Sequence, residues 1–163
     1  MKDLLRSAFC LAFVAVLAAP ALAAPKVAPA DEYFGKMKIS ALGIDNMIRD
    51  TDVRESYDPN EASRLYGALM NAEDALLDWA SKYPQDSWIP KRAYLLSHLF
   101  WRMNTPEATA AADKCRGVIF KYFPSNHYAV LAKSETASSY VASLTSSTAA
   151  IASPSPQPAP TTK

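Results

Sequence analysis

Prolines stand at positions 59, 84, 90, 106 and 124 of a chain with only four glycines, where apolar residues otherwise recur at spacings of three and four. A proline is tolerated in the first turn of a helix and breaks its interior, and the residue before it avoids helical geometry. These five positions therefore mark where helices start and stop. No stretch between Ala30 and about Ser143 alternates apolar and polar residues with a period of two, so strands are not expected there. The expectation is an all-α fold of about five helices arranged as stacked antiparallel helical hairpins.

The first helix is expected from Asp31 to about Asp50, with Met37, Ala41, Ile44 and Ile48 on one face and Gly35 and Gly43 as weak points. The second starts at Asp58-Pro59, a cap followed by a first-turn proline, and ends at Pro84. Its apolar stripe is Ala62, Leu65, Tyr66, Leu69, Leu76, Trp79, Ala80 and Tyr83, with Glu61, Glu73, Asp74 and Asp78 off the stripe as a solvated acidic face. The third runs from about Trp88 to Met103 and is apolar on two faces: Leu96, Leu99, Phe100 and Met103 on one, Tyr94, Leu95 and Trp101 on the other. The fourth opens at Thr105-Pro106-Glu107 and stops before Pro124; the fifth begins near Asn126 and continues to Leu144 as one helix that frays late.

The second and fourth helices end alike. Tyr83-Pro84-Gln85-Asp86-Ser87-Trp88 aligns with Phe123-Pro124-Ser125-Asn126-His127-Tyr128. Each has an aromatic, a proline, an Asx two residues later and an aromatic four residues after the proline. A recurrence of about 40 residues is the sequence sign of stacked helical hairpins. Over about residues 76–132 the chain resembles the tetratricopeptide-like helical-repeat proteins of the bacterial envelope. Ala112, Ile119 and Pro124 sit near the small, apolar and proline positions of such a repeat's second helix, and Leu96 and Leu99 near apolar positions of its first. Phe100 and Asn104-Thr105-Pro106 depart from the pattern. The resemblance implies a protein-binding or structural module with no catalytic residue.

The two ends read differently from the middle. Residues 1–23 combine a basic start, an uncharged apolar run and Ala21-Leu22-Ala23, which is the pattern of a secretory signal peptide cut before Ala24. The expected organisation is a signal peptide over 1–23, a disordered leader over 24–30, an all-helical domain over 31–145 and a disordered tail over 146–163, rich in Pro, Ser, Thr and Ala. The mature protein is then exported, periplasmic or extracellular, with no stable membrane insertion after cleavage.

Charge and cysteine narrow the function. The chain carries 17 Lys+Arg and 16 Asp+Glu, too even for sequence-wide attraction to nucleic acid, so no nucleic-acid partner is expected. Asp45 to Asp78 holds nine acids and three bases, and Trp79 to Lys133 eight bases and three acids. Two faces that attract each other on folding account for this, as does head-to-tail self-association. Once Cys10 is removed with the signal, only Cys115 remains, either a buried inert thiol or an intermolecular partner.

No motif supports catalysis. His98 and His127 lack the spacing of a metal set, and no phosphate loop, nucleophile elbow or haem-attachment run is present, so no metal, cofactor or enzymatic activity is expected. Aromatic residues and arginine dominate protein-binding surfaces. Trp88, Tyr94, His98, Trp101 and Arg102 are therefore the candidate contact residues, for a protein or peptide of the cell envelope or, alternatively, for a small ligand or cell-wall glycan.

Overall fold

The computed structural model describes residues 27–58 and 61–152, the side chains of 62, 63 and 146–152 excepted. Residues 1–23, expected as a signal peptide, residues 24–26 of the expected leader, Pro59, Asn60 and residues 153–163 of the expected tail lie outside the described residues. The fold is all-α apart from one small hairpin. In chain order the elements are β1 (Tyr33–Phe34), β2 (Ile39–Ser40), α1 (Ala41–Tyr57), α2 (Ala62–Lys82), α3 (Ile89–Arg102), α4 (Pro106–Tyr122), α5 (His127–Ser134) and α6 (Ala137–Ala152). No helix among the described residues is long and apolar enough to cross a membrane.

The first expected helix is corrected at its start. Residues 33–40 form an antiparallel hairpin, with Tyr33 opposite Ser40 and Phe34 opposite Ile39, and the helix begins only at Ala41. Gly35 sits at φ +67° in the turn, and Lys38 closes it at φ +53°. A helix through this point would need right-handed dihedrals at both. The Ser40 hydroxyl caps α1 by accepting from the Gly43 N–H at 3.1 Å. Met37, expected on the buried face, is exposed, while Ile44 and Ile48 are buried as expected.

The hairpin docks on α2 through groups that the sequence assigns to a free acidic face. The Gly35 N–H donates to Asp78 Oδ2 at 2.9 Å and the Lys36 N–H to Asp74 Oδ2 at 2.8 Å. Phe34 is fully buried and stacks on Trp79 at 5.4 Å. Glu73 is also buried, and the Lys114 ammonium lies 3.3 Å from its Oε1. The acids off the apolar stripe are thus docking and pairing groups.

The repeated joint is repeated in geometry. Tyr83 N–H closes α2 on Trp79 O at 2.8 Å, and Phe123 N–H closes α4 on Ile119 O at 2.9 Å. After each proline turn an Asx side chain accepts the backbone N–H two residues on: Asp86 from Trp88 and Asn126 from Tyr128, both at 3.0 Å. Asp86 organises the start of α3. Its buried carboxylate also accepts from the Trp79 indole at 3.1 Å and from the Ala28 N–H at 3.0 Å, which ties the leader to the first joint.

Long-range pairs give the helix directions. Asp45 pairs with Arg92 and Glu55 with Arg102, so α1 and α3 run parallel. Tyr94 meets Tyr128 and His98 meets Tyr140, so α5 and α6 follow the same direction beside α3. Helices α3 and α4 pack as a hairpin turned at Asn104, which takes the left-handed cap conformation at φ +51°. The core lies between these layers and includes Leu69, Leu76, Trp79, Leu96, Phe100 and Ile119. The fifth expected helix is corrected too: Glu135 and Thr136 interrupt it, and α6 continues to Ala152.

Candidate functional site

Two parallel helices leave an open groove of about 410 Å³ between α1 and α3, ended by Tyr140 of α6. Leu42 and Leu95 stand on its rim, and Ile48 and Leu99 lie deeper. The charged lining is Asp45, Arg49, Asp52, Lys91, Arg92 and Arg102, with His98 beside Tyr140.

Most of these charges are fixed in place. Arg92 reaches across to Asp45 and donates to Trp88 O at 2.8 Å, with its guanidinium 4.7 Å from the Trp88 ring centre. Arg102 donates to Glu55 Oε2 at 2.8 Å and Asp52 Oδ1 at 2.7 Å. Burial opposes the charge on Arg102, but Asp52 and Glu55 outweigh it and hold its pKa above the ordinary value. Burial pushes the Glu55 carboxyl up despite Arg102. These bridges, with Lys114–Glu73 and Lys82–Asp78, join the acidic stretch to the basic one inside a single chain. The reading of two mutually attracting faces accounts for them.

An aromatic cluster adjoins the groove. Glu135, at the break between α5 and α6, accepts from the Tyr94 hydroxyl at 2.8 Å and lies 2.9 Å from His98 Nε2. His98 is stacked between Tyr140 (4.1 Å) and Trp101 (5.5 Å). Burial, with help from Arg116 and Arg102, lowers the His98 pKa below 6.5 in spite of Glu135. Burial and Glu135 push the Tyr94 phenol well above its usual range. The Arg116 guanidinium covers Trp101 at 4.4 Å and donates to the carbonyls of Ala132 and Glu135.

The five sequence-derived contact residues separate. His98 and Arg102 line the groove, and Trp88 is exposed at the first joint, capped by Arg92. Tyr94 is turned away from the groove into the cluster with Glu135 and Tyr128. Trp101 is corrected: it is only 3% exposed, because α6 lays Tyr140 on the cluster and Arg116 covers the ring from α4. It does not form an open contact face. Ile48 and Leu95 were read from the sequence as apolar-face residues; the other groove residues of α1, and Lys91, were not singled out as contacts. Leu42, an apolar residue outside the expected face of the first helix, carried part of that signal.

Cys115 is fully buried, and burial pushes its thiol far above the usual range, so it is protonated and inert at neutral pH. No group of three or more metal-binding side chains gathers among the described residues. Comparisons with protein-family models, with curated proteins and with solved structures find no match.

Proposed function

We propose that this chain is an exported, non-enzymatic helical-repeat module that binds a protein or peptide in the bacterial cell envelope, with the α1–α3 groove as its contact surface. The observation that carries the reading is the groove itself. It is open along its length, it exposes Leu42 at 69% on the rim, and its floor of ion pairs is already ordered. An ordered floor binds with less loss of side-chain freedom than a flexible one. The Lys91 side chain makes no ion pair or hydrogen bond among the described residues and is available to a partner. The apolar rim and charged floor fit an extended or helical peptide segment. The resemblance to tetratricopeptide-like envelope proteins and the signal-peptide pattern of residues 1–23 point to the same class and compartment.

The test is selection of displayed peptides on the full mature chain, followed by binding to a Leu42→Asp, Lys91→Glu variant. The reading expects selected peptides to lose at least tenfold in affinity on the variant. Peptides unaffected by it, or binding of soluble glycan fragments in place of any peptide, overturn the reading.

A further inference from the structure

The α1–α3 groove has a direction. Asp45 pairs with Arg92 and Glu55 with Arg102, each across 47 positions of sequence, so α1 and α3 keep one parallel register along the groove. Both helices start at the same end, where Leu42 and Lys91 stand, and finish at the other, where Asp52, Glu55 and Arg102 meet. The partial positive charges of two helix starts add at the first end, and the partial negative charges of two helix ends add at the second.

The side chains are charged in the same sense. At the first end Arg92 matches Asp45, and Lys91 is left over, since its side chain makes no ion pair or hydrogen bond among the described residues. At the second end two carboxylates, Asp52 and Glu55, share the single guanidinium of Arg102. Glu55 is buried, whereas the Asp52 side chain is 57% exposed and open to an occupant. Burial holds the His98 pKa below 6.5, so this residue adds little positive charge at neutral pH. Arg49, between the two ends, is balanced by Asp50 at 3.8 Å and donates to Asn46 at 3.1 Å. An unmatched cation thus stands at one end of the groove and an excess carboxylate at the other.

The register also gives a length. It places Asp52 level with Leu99, eight residues beyond Lys91 on α3, or about 12 Å along the helix axis. Leu95 lies midway on the rim.

We propose that the groove takes a peptide segment in one orientation, with a carboxylate at Lys91, an apolar side chain on Leu95 and a Lys or Arg at Asp52. The inference rests on the reading of this groove as the contact surface and adds the charge order of its occupant. In a helical occupant the acid and the base stand about seven or eight residues apart, which keeps them on one face. In an extended occupant they stand about four residues apart. The reversed segment sets a cation against Lys91 and a carboxylate against Asp52, and this like-charge contact excludes it.

The test uses peptides selected from an unbiased displayed library on the full mature chain. Each is measured against Leu42→Asp, Lys91→Glu and Asp52→Lys separately. All three positions are exposed, and Glu55 still holds Arg102 when Asp52 is replaced. Groove peptides are those that lose at least tenfold on Leu42→Asp. They are expected to carry an acid and a base at the stated spacing and to weaken at least tenfold on Lys91→Glu. Changing the peptide acid to Lys restores binding to Lys91→Glu within threefold. Asp52→Lys weakens them likewise, and changing the peptide base to Glu restores binding. The crossed combinations stay weak. Groove peptides insensitive to both charge reversals overturn the charge order and leave the groove as the contact surface. Rescue of either variant by either peptide change also overturns it, because the attraction then has no direction. Peptides indifferent to Leu42→Asp overturn the groove reading itself, and the inference with it.

Discussion

The two ends of the described fold are docked on the same helical layers by opposite means. At the N-terminal end the β1–β2 hairpin buries Phe34 completely between Trp79 and Tyr83 and lends two backbone N–H groups to Asp74 and Asp78. At the C-terminal end α6 lays the half-buried Tyr140 on His98, with residues 138, 139 and 142–145 exposed. The hairpin has eight residues from Tyr33 to Ser40, and α6 has sixteen. Attachment thus follows the depth of the anchoring ring and the backbone groups that accompany it, not the length of the segment. The first end is anchored by a fully buried ring and the second by a half-buried one.

The sharpest test of this contrast is Phe34→Ala. It removes a fully buried ring and is expected to lower global stability by about 3–5 kcal/mol, read by denaturant unfolding. A loss below about 1 kcal/mol would make the hairpin as peripheral as α6 and dissolve the comparison. Gly35→Ala comes next. Its φ of +67° disfavours a side chain, and the new Cβ would lie 2.8 Å from the backbone N of Ala75. Strain and overpacking together predict a loss of about 2–4 kcal/mol.

Tyr140→Ala is expected to lower global stability by less than Phe34→Ala does, because its ring is half-buried where that of Phe34 is fully buried. Its effect should appear as deprotection of α6 amides and greater acrylamide quenching of Trp101. A global loss as large as that of Phe34→Ala would place α6 in the core. The smallest effect is on pH. Unfolded imidazole takes up its proton near 6.5, and folded His98 does so at lower pH because it is buried. Between these values the unfolded state binds more protons, so the contribution of His98 to stability falls as pH falls through the interval. Replacing it by His98→Phe, which keeps a ring between Trp101 and Tyr140, should flatten that dependence, and an NMR titration of the imidazole gives the folded pKa.

How far the sequence is readable differs between the same two ends and the middle. Helices α2, α3 and α4 were legible to within a few residues because proline, Asx and apolar spacing act locally, and the Tyr83–Trp88 and Phe123–Tyr128 joints keep one geometry. The hairpin was not legible: Ile44 and Ile48 do sit on a helical face, and the same spacing extends backward through Ala41 to Met37, where only docking on α2 selects a turn. Of the candidate contact residues, His98 and Arg102 reach the groove, whereas Trp101 is covered by residues 15 and 39 positions away in sequence, Arg116 and Tyr140.

The sequence by itself therefore determined the all-α class, the ends of the central helices, the repeated joint and the division into an acidic and a basic stretch. Each follows from steric rules or charge counts that hold within a few residues of chain. The tertiary structure alone decided that these charges close on one another, that Asp74 and Asp78 receive a hairpin, that Glu135 interrupts a helix, and that Trp101 lies beneath α6. Those outcomes depend on which distant side chain arrives first at a given hydrogen-bonding or apolar surface, and no local pattern records that competition.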